Sequence, residues 1–360
     1  MSDYTRFWKG NYKESRQTFR DYTTKDYRQY CHKTYGKVVV DQTDDTTIDY
    51  MYLHNPPDHS NGRLHIIISG THGVEGYTGS AIQCRTLENI LNTDSRTHQS
   101  DLSRPTSYLF VHALNPYGYL HNRRFTKNNV DLNRNYLSSF HEPQYPAIFN
   151  RLVSTYMFSL YFLYLFFVIL YRYGYTKARE YIVRGQYSYP DSLFYGGNKR
   201  EKNIDLLETI LDKVDSHDFT EIYVFDVHTG LGPYGNLSIM VPECTYRELS
   251  NLYCNSQTSM INITNNNMYQ DSVGSVVTGI EHYFRHNKCY PGSVYPVILE
   301  YGTYSNLRIF AGLLMENYYF AKKNKDWGLS KNTLRSLFNV DDPKWKRMII
   351  TNYVDLISQF

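Results

Sequence analysis

Residues 64–79 read LHIIISGTHGVEGYTG, a short aliphatic run followed by a glycine-rich turn that carries a histidine and a glutamate. The run is mainly β-branched, which predicts a buried strand that ends at the first glycine of the turn. His72 and Glu75 then lie just past the carboxyl end of that strand, where open α/β sheets bind their ligands. An imidazole nitrogen and a carboxylate oxygen at this spacing can bind one metal ion, but a zinc site needs a third protein ligand. Taken alone, the stretch leaves a metal-binding pair and a plain polar turn as alternatives.

Apolar runs and helical periodicity alternate around this stretch. Residues 80–91 have apolar positions at helical spacing, and residues 107–114, SYLFVHAL, predict a second buried strand. A strand, a helix and a strand at this spacing indicate an α/β fold with a mainly parallel sheet. Residues 37–41 and 47–53 precede this unit and predict two antiparallel strands joined by an acidic turn.

The composition excludes several classes of protein. Lys and Arg number 38 against 35 Asp and Glu, and a net charge of +3 is too small for a nucleic-acid-binding surface. The five cysteines are widely spaced and lack a Cys-x-x-Cys pair, which indicates free thiols in a reducing compartment. Residues 1–17 are charged and have no apolar core, so no secretory signal is predicted. We therefore expect a cytoplasmic protein, with peripheral membrane association left open.

A loop-like stretch at residues 119–136, YLHNRRFTKNNVDLNRNY, is dense in long polar side chains. One interpretation is a solvated basic turn. The other is a clamp for an anionic or carbonyl group, because guanidinium groups match carboxylates and developing oxyanions in geometry and charge. The polar side chains of this loop include Arg123, Arg124, Asn129, Asp131, Asn133, Arg134 and Asn135.

Two later strands also end in an ionisable side chain. Residues 221–227, EIYVFDV, predict a strand that ends at His228, with two glycines close behind. Asp226 lies on the same face as His228 if the strand stays regular, and would then accept a hydrogen bond from it. Residues 296–299, PVIL, predict one more strand that ends at Glu300. A histidine or glutamate at a strand end is, by itself, commonly structural or solvated.

The order of these motifs resembles that of a known superfamily. His72-Gly-Val-Glu75, Asn115-Pro-Tyr-Gly118 and the NVDLNRN of residues 129–135 are similar to the motifs of the zinc carboxypeptidase (M14-like) superfamily. That superfamily includes aspartoacylase and succinylglutamate desuccinylase. The phrases SGTHGVEG and LFYGG, the latter at residues 193–197, most resemble its DUF2817 branch. The resemblance covers about residues 35–320 and implies a mixed, mainly parallel sheet sandwiched by helices.

The resemblance also implies a metal centre. One Zn²⁺ ion would be bound by His72, Glu75 and His228, with water in the fourth position. Glu300 would be the general base, taking a proton from the water and passing it to the leaving amine.

The resemblance assigns the arginine-asparagine loop to the substrate. Arg124, or alternatively Arg123, would stabilise the oxyanion, and Asn133 with Arg134 would hold a substrate carboxylate. The implied reaction is hydrolysis of an amide bond next to a carboxylate, in a peptide or an N-acyl amino acid.

Two other functions stay open at this stage. One is an N-acyl amino acid deacylase of the aspartoacylase type, and the other is an inactive membrane-surface or scaffold protein that keeps the fold. A serine hydrolase and a P-loop protein are excluded, because neither Gly-x-Ser-x-Gly nor Gly-Lys-Ser/Thr occurs. The sequence leaves the oligomeric state undetermined.

Residues 152–171, LVSTYMFSLYFLYLFFVILY, contain no charge and are long enough for a transmembrane helix. The alternatives are a helix packed on the catalytic domain, a helix at the membrane surface, and a true span. A site shared by residues 75 and 228 excludes a single crossing between them, because a span would place the two on opposite sides of the bilayer. Tyrosines favour the membrane boundary and keep surface association open.

The predicted organisation is one catalytic domain with two terminal extensions. Residues 1–35 are expected to form an N-terminal helical extension and residues 323–360 a C-terminal one. Residues 36–322 would form the catalytic domain, with residues 152–171 as an apolar helical insert. Within this domain, residues 243–290 are polar and asparagine-rich, which predicts a long surface loop.

Overall fold

The computed structural model describes residues 4–55, 62–92, 105–140, 146–250, 257–264 and 274–360. Within these ranges, eight strands form one sheet. They are β1 (His32–Asp41), β2 (Thr46–His54), β3 (Gly62–Ile68), β4 (Thr106–His112), β5 (Phe219–Gly230), β6 (Leu237–Val241), β7 (Thr258–Asn262) and β8 (Ser293–Gly302).

The sheet is mixed, with a parallel centre. The strand order is β1-β2-β4-β3-β5-β8-β6-β7. The pairs β4–β3, β3–β5, β5–β8 and β6–β7 are parallel, whereas β1–β2, β2–β4 and β8–β6 are antiparallel. The four central strands therefore deliver their carboxyl ends to one edge of the sheet. The predicted mixed, mainly parallel sheet is confirmed, as is the predicted antiparallel pair at its start.

Helices cover both faces of the sheet. In chain order they are α1 (Tyr12–Thr23), α2 (Gly76–Asn92), α3 (Pro116–Leu120), α4 (Ala147–Val153), α5 (Leu160–Arg184), α6 (Lys202–Leu211), α7 (Glu243–Glu248), α8 (Val276–His282), α9 (Asn306–Ala321), α10 (Trp327–Phe338) and α11 (Pro343–Ile357). Asn11 caps α1: its side chain accepts a hydrogen bond from the N–H of Glu14 at 3.0 Å, as helix N-caps do.

Side chains of the central strands alternate between two cores. In β3, Leu64, Ile66 and Ile68 pack with α6 and α8 on one face, whereas Ile67 packs with α1, α2 and α11 on the other. A strand that is buried on both faces reads as a continuous apolar run, which is why the sequence pattern identified it. The predicted sandwich of helices is confirmed.

The apolar run 152–171 is not one helix, contrary to the prediction. Its first two residues end α4, and α5 begins only at Leu160. The hydroxyl of Ser159 accepts a hydrogen bond from the N–H of Phe162 at 3.1 Å, so this serine starts a new helix. Gly174, at φ 70°, then kinks α5. Among the described residues, no helix is long and apolar enough to cross a membrane.

The inner face of α5 packs on the rest of the molecule. Phe162, Leu165 and Ile169 are buried in a third core, together with side chains of α4, α9 and α10. Among the described residues, this third core contains no side chain from a strand. The packed-helix interpretation therefore describes one face of α5.

The polar stretch 243–290 is only partly a loop. It contains α7, β7 and α8, whereas residues 251–256 and 265–273 lie outside the described ranges. The strand β7 was missed because its side chains are only partly buried and its hydrogen bonds come from pairing with β6. Strand formation at a sheet edge depends on that partner more than on an apolar pattern.

The two predicted extensions pack against the sheet. Tyr12 and Phe19 of α1 are buried in the core with α2 and α11. At the other end of the chain, Trp345 of α11 is buried and its indole N–H donates to the carbonyl of Gly302 at 2.9 Å. The boundaries of the catalytic domain at residues 36 and 322 stay a prediction.

Candidate metal centre and substrate cavity

The turn after β3 places two predicted metal ligands next to the arginine loop. Glu75 closes a 3-10 turn that follows His72 and leads directly into α2. The N–H of Val74 donates to the carbonyl of Arg123 at 2.7 Å, which fixes the turn on the loop. The predicted order of strand, turn and helix is confirmed.

Gly73 makes this contact possible. A Cβ atom at this position would lie 2.1 Å from the carbonyl carbon of Gly118, closer than any real contact. Gly118 is itself held by Asn115, whose Oδ1 accepts a hydrogen bond from its N–H at 2.9 Å. The motifs around His72 and Asn115 therefore pack against each other as one unit.

β5 adds the third predicted ligand, because β3 and β5 are parallel neighbours. Glu75 lies between the two histidines: its Oε1 is 3.0 Å from Nδ1 of His72, and its Oε2 is 3.0 Å from Nδ1 of His228. The two Nδ1 atoms are also 3.0 Å apart. All three side chains are buried, and their ligand atoms lie within 4.8 Å of one another. The structure thus brings together the three residues that the sequence singled out.

Each imidazole also contacts a carboxylate through its Nε2 atom, on the side away from Glu75. Oδ1 of Asp131 is 3.2 Å from Nε2 of His72, and Oδ2 of Asp226 is 2.8 Å from Nε2 of His228. A carboxylate there keeps the proton on Nε2 and leaves the lone pair of Nδ1 free to bind a cation. The hydrogen bond predicted between His228 and Asp226 is confirmed, and β5 stays regular as that prediction required.

The donor set fits a divalent cation. Two imidazole nitrogens and one carboxylate converge, and both imidazoles are oriented by a carboxylate, which is the arrangement that zinc sites use. Two Nδ1 lone pairs that face each other at 3.0 Å repel unless a proton or a cation lies between them. Of the two carboxylates that orient the imidazoles, Asp226 was predicted from the sequence and Asp131 was not, although Asp131 lies in the NVDLNRN motif.

The surroundings shift the pKa values of the two glutamates of the site in opposite directions. Burial acts to raise the pKa of Glu75, but the charge of His72 and hydrogen bonds from His228 and His72 hold that pKa below its ordinary value. Burial, followed by the negative charge of Glu75, raises the pKa of Glu300 above its ordinary value. Neighbouring carboxylates whose pKa values are pushed apart are suited to different tasks.

Glu300 lies beside the histidines because of strand register. In the parallel pair β5–β8, His228 is the partner of Glu300. The backbone N–H of Leu231 donates to Oε1 of Glu300 at 2.8 Å. This carboxylate is buried but lines the same cavity as the three clustered ligands.

The structure separates the two arginines that the sequence left ambiguous. Arg124 lines the cavity, and its guanidinium contacts Asp131 at 3.1 Å and Glu75 at 3.4 Å. Arg123 is fully buried, and its Nε donates to Glu316 of α9 at 2.6 Å. The predicted substrate contact of Arg123 is not supported, because its guanidinium is paired in the interior and does not line the cavity.

Asn133 and Arg134 both line the cavity, close to the N-terminal end of α8. Oδ1 of Asn133 accepts a hydrogen bond from the N–H of Val276 at 2.9 Å, so this side chain positions the helix. Arg134 donates to the carbonyl of Val183 at 2.6 Å. A Cβ atom at Gly185 would lie 2.4 Å from Cδ of Arg134, so the glycine leaves room for this side chain.

Two buried donors at this end of the cavity have no protein partner. Nε of Arg134 and the hydroxyl of Ser275 make no hydrogen bond to any of the described residues. Both side chains line the cavity. Buried polar groups are rarely left unpaired, so this pair indicates a place for an anionic ligand group. Ser275 was not found from the sequence, because it lies next to a polar stretch without a recognisable pattern.

The cavity has a volume of about 240 Å³ and two chemically different regions. The clustered histidines and glutamates lie at one wall, with Arg124 and Arg134 near them. Most of the remaining lining consists of aliphatic and aromatic side chains from α5, α9 and α10.

The fold and the site define a class: a mixed α/β protein with a buried His–Glu–His centre that fits a divalent metal, at the carboxyl edge of its sheet. The chain belongs to the family described as "Protein of unknown function (DUF2817)", whose model matches residues 8–352. The resemblance to this family that the motifs indicated is confirmed. A search of curated proteins finds no match to the chain.

Solved structures similar to the chain include metallo-carboxypeptidases and a protein of the aspartoacylase group. The metallo-carboxypeptidase from Burkholderia cenocepacia has 11% identity and a TM-score of 0.44, over 96% of this chain and 69% of that one. Thrombin activatable fibrinolysis inhibitor has 12% identity and a TM-score of 0.49, over 95% and 74%. A candidate succinylglutamate desuccinylase/aspartoacylase from Shewanella frigidimarina has 14% identity and a TM-score of 0.37, over 81% and 70%.

Proposed function

We propose that this protein is a zinc-dependent hydrolase that cleaves an amide bond next to a carboxylate. The observation that carries the proposal is the convergence of His72, Glu75 and His228 at one cavity wall, with Glu300 beside them. One zinc ion bound there would polarise the scissile carbonyl and acidify a water molecule.

Glu300 is the general base of the proposed reaction. Its carboxylate takes a proton from the attacking water as the water oxygen bonds to the carbonyl carbon. The same carboxyl group then gives the proton to the amide nitrogen as the carbon–nitrogen bond breaks. A pKa raised above the ordinary carboxyl value favours this return of the proton.

The two arginines of the cavity stabilise negative charge on the substrate. Arg124 lies 3.4 Å from Glu75 and offers its guanidinium to the oxygen that becomes negative during attack. Arg134 and Ser275 offer their unpaired donors to the carboxylate of the substrate. Asn133 supports this end of the cavity through its bond to α8.

The site supports both substrate classes that the sequence left open, a peptide with a free carboxyl end and an N-acyl amino acid. A cytoplasmic location is part of the proposal. It is supported by the free thiols of Cys31, Cys84, Cys244 and Cys289 in the described part of the chain.

The test is metal analysis of the purified protein, combined with a screen of C-terminal peptides and N-acyl amino acids. We expect stoichiometric zinc in the wild type and its loss in His228→Ala. A parallel variant, His217→Ala, removes an exposed histidine outside the site and should retain the metal. Absence of metal in the wild type after zinc reconstitution, or hydrolysis that persists after complete metal removal, would refute the proposal.

A further inference from the structure

The apolar region of the cavity is built by two helices that face each other. Phe166, Ile169 and Leu170 contribute from α5, whereas Leu307 and Phe310 contribute from α9. Leu307 is 68% exposed, which places it at the mouth. This region is continuous with the wall that holds the clustered histidines.

This lining suits an alkyl chain better than a peptide. Each peptide residue brings an N–H and a carbonyl group that need hydrogen-bond partners once they leave water. The side chains of this region are mostly hydrocarbon and offer few such partners. An alkyl chain makes no such demand, and it gains free energy with each methylene that leaves water.

We propose that the substrate is an N-acyl amino acid whose acyl group is a long apolar chain. The acyl chain of the substrate lies between α5 and α9, and its amino acid carboxylate lies at Arg134 and Ser275. This proposal rests on the proposed hydrolase function and specifies the substrate class of the same site.

The test is a series of N-acyl glycines that differ only in acyl length, from acetyl through octanoyl to dodecanoyl. We expect kcat/KM to rise by roughly fourfold for each methylene that enters the cavity, as the transfer free energy of a CH₂ group implies. Direct binding of the same series to the wild-type protein should follow the same order by calorimetry. A flat or falling series in both measurements overturns the proposal.

Two matched leucine variants test where the acyl chain of the substrate binds. Leu307→Lys places an ammonium group at the mouth and should reduce the ratio of dodecanoyl to acetyl kcat/KM by at least about tenfold. Leu329→Lys changes a leucine of α10 that is 73% exposed and does not line the cavity, and the ratio should stay at the wild-type value. Equal ratios in the two variants would contradict the assignment.

The outcomes separate this proposal from the hydrolase function. Hydrolysis of acetyl glycine or of peptides without a preference for long chains refutes the acyl-chain proposal alone. Binding that strengthens with chain length, without hydrolysis of any member, refutes the hydrolase function and leaves the apolar binding region in place.

A second inference rests on the outer face of α5, which is apolar and exposed. Leu160 is 85% exposed and Tyr171 is 95% exposed, and between them Tyr161, Tyr164 and Phe167 are exposed on the same side. The spacing of these residues gives one continuous stripe along the helix. A continuous exposed stripe of five large apolar side chains marks a binding surface.

The charges around this stripe indicate what covers it. Arg172 is exposed directly after Tyr171 at the end of the stripe, and Arg151, Lys177 and Arg184 are exposed at positions before and after it in the sequence. The sequence from residue 152 to residue 179 contains no acidic residue. Basic residues beside an apolar helix face match a membrane surface with anionic lipids. We infer that the outer face of α5 rests on such a surface, without crossing it.

Vesicle co-sedimentation tests this second inference. The wild type should bind vesicles that contain phosphatidylglycerol more strongly than vesicles of phosphatidylcholine alone. Phe167→Ser combined with Tyr164→Ser should abolish this binding, whereas Leu329→Ser, at an exposed site on α10, should not. Wild-type protein that binds neither vesicle overturns the inference. The inference is also overturned if the wild type is a dimer and the double variant is a monomer, because a second copy of the protein then covers the stripe.

Discussion

At the scale of single residues, Glu75 and Glu300 illustrate how surroundings divide two similar side chains. Glu75 contacts the Nδ1 atoms of both histidines and has a lowered pKa, whereas Glu300 accepts a hydrogen bond from one backbone N–H and has a raised pKa. The first is suited to bind a cation and the second to exchange a proton.

Glu300→Gln tests this division of roles. The amide cannot take a proton, so we expect kcat to fall by roughly 10²–10⁴-fold. Bound zinc should stay at the wild-type level, since Glu300 is not among the three clustered ligands. Steady-state kinetics and metal analysis of the same preparation are the measurements. A variant that keeps wild-type kcat, or that loses its metal, would contradict the assignment.

Ser275→Ala and Arg134→Lys test the carboxylate subsite. Loss of a hydrogen bond to a charged group corresponds to about 1.5–3 kcal/mol, so KM should rise by roughly tenfold or more. Zinc content should be unchanged. The control is the same substrate with its carboxylate converted to a primary amide, for which the wild type and the variants should differ little. An equal loss on both substrates would place these residues outside carboxylate recognition.

At the scale of elements, the site depends on close contact between two turns. The turn that carries His72 and Glu75 approaches Gly118 so closely that only glycine fits at position 73. The glycine of the motif therefore positions His72 and Glu75 without offering a ligand atom of its own.

Gly73→Ala should displace this turn. The added Cβ would lie 2.1 Å from the backbone of Gly118, and relief of such overlap costs about 1–3 kcal/mol of folding stability. We also expect weaker zinc binding, because both ligands of the turn move. Gly328→Ala is the control, since its Cβ meets nothing within 4 Å inside α10. Urea unfolding and zinc titration compare the two variants with the wild type. Equal losses of stability in Gly73→Ala and Gly328→Ala would contradict the prediction.

At the scale of the whole molecule, a buried histidine links stability to pH. His65 of β3 lies among the rings of Tyr108, Tyr223, Phe225 and Phe360. Neither of its ring nitrogens has a hydrogen-bond partner among the described residues. Burial, with a smaller effect of the charge of Arg63, lowers its pKa to about 3.

The sign of the pH dependence follows from this lowered pKa. In the unfolded chain a histidine has a pKa of about 6.5, so between that value and the folded-state pKa only the unfolded chain is protonated. The contribution of neutral His65 to the free energy of unfolding is fully present above about pH 6.5 and is lost as the pH falls toward 3. His65→Leu should therefore gain roughly 3 kcal/mol relative to the wild type between pH 8 and pH 4. His217→Leu, at an exposed position, should keep the wild-type dependence. Urea unfolding across this range is the measurement, and parallel curves for wild type and His65→Leu would refute it.

Much of the site was predictable because strand ends are local features. An apolar run followed by glycine or by a polar side chain marks the end of a buried strand, and His72, His228 and Glu300 each follow such a run. Strands that are parallel neighbours must then bring these ends to one edge.

Contacts between distant residues could not be predicted in this way. Arg123 and Arg124 are adjacent in sequence, yet Arg123 pairs with Glu316, 193 residues away, and Arg124 contacts Glu75. The division of the apolar run between α4 and α5 likewise depends on a serine cap and on packing with α9 and α10.

The sequence by itself determined the fold class, because periodicity and strand ends are encoded locally. The assignment of His72, Glu75, His228 and Glu300 to one site came from the resemblance of the ordered motifs to the zinc carboxypeptidase superfamily. The tertiary structure alone decided which arginine lines the cavity, that Asp131 orients His72, and that Ser275 lies unpaired in the cavity wall. It also decided that α5 is buried on one face and exposed on the other. These outcomes depend on which distant side chains compete for the same polar atoms and the same apolar surface, and only the folded chain resolves that competition.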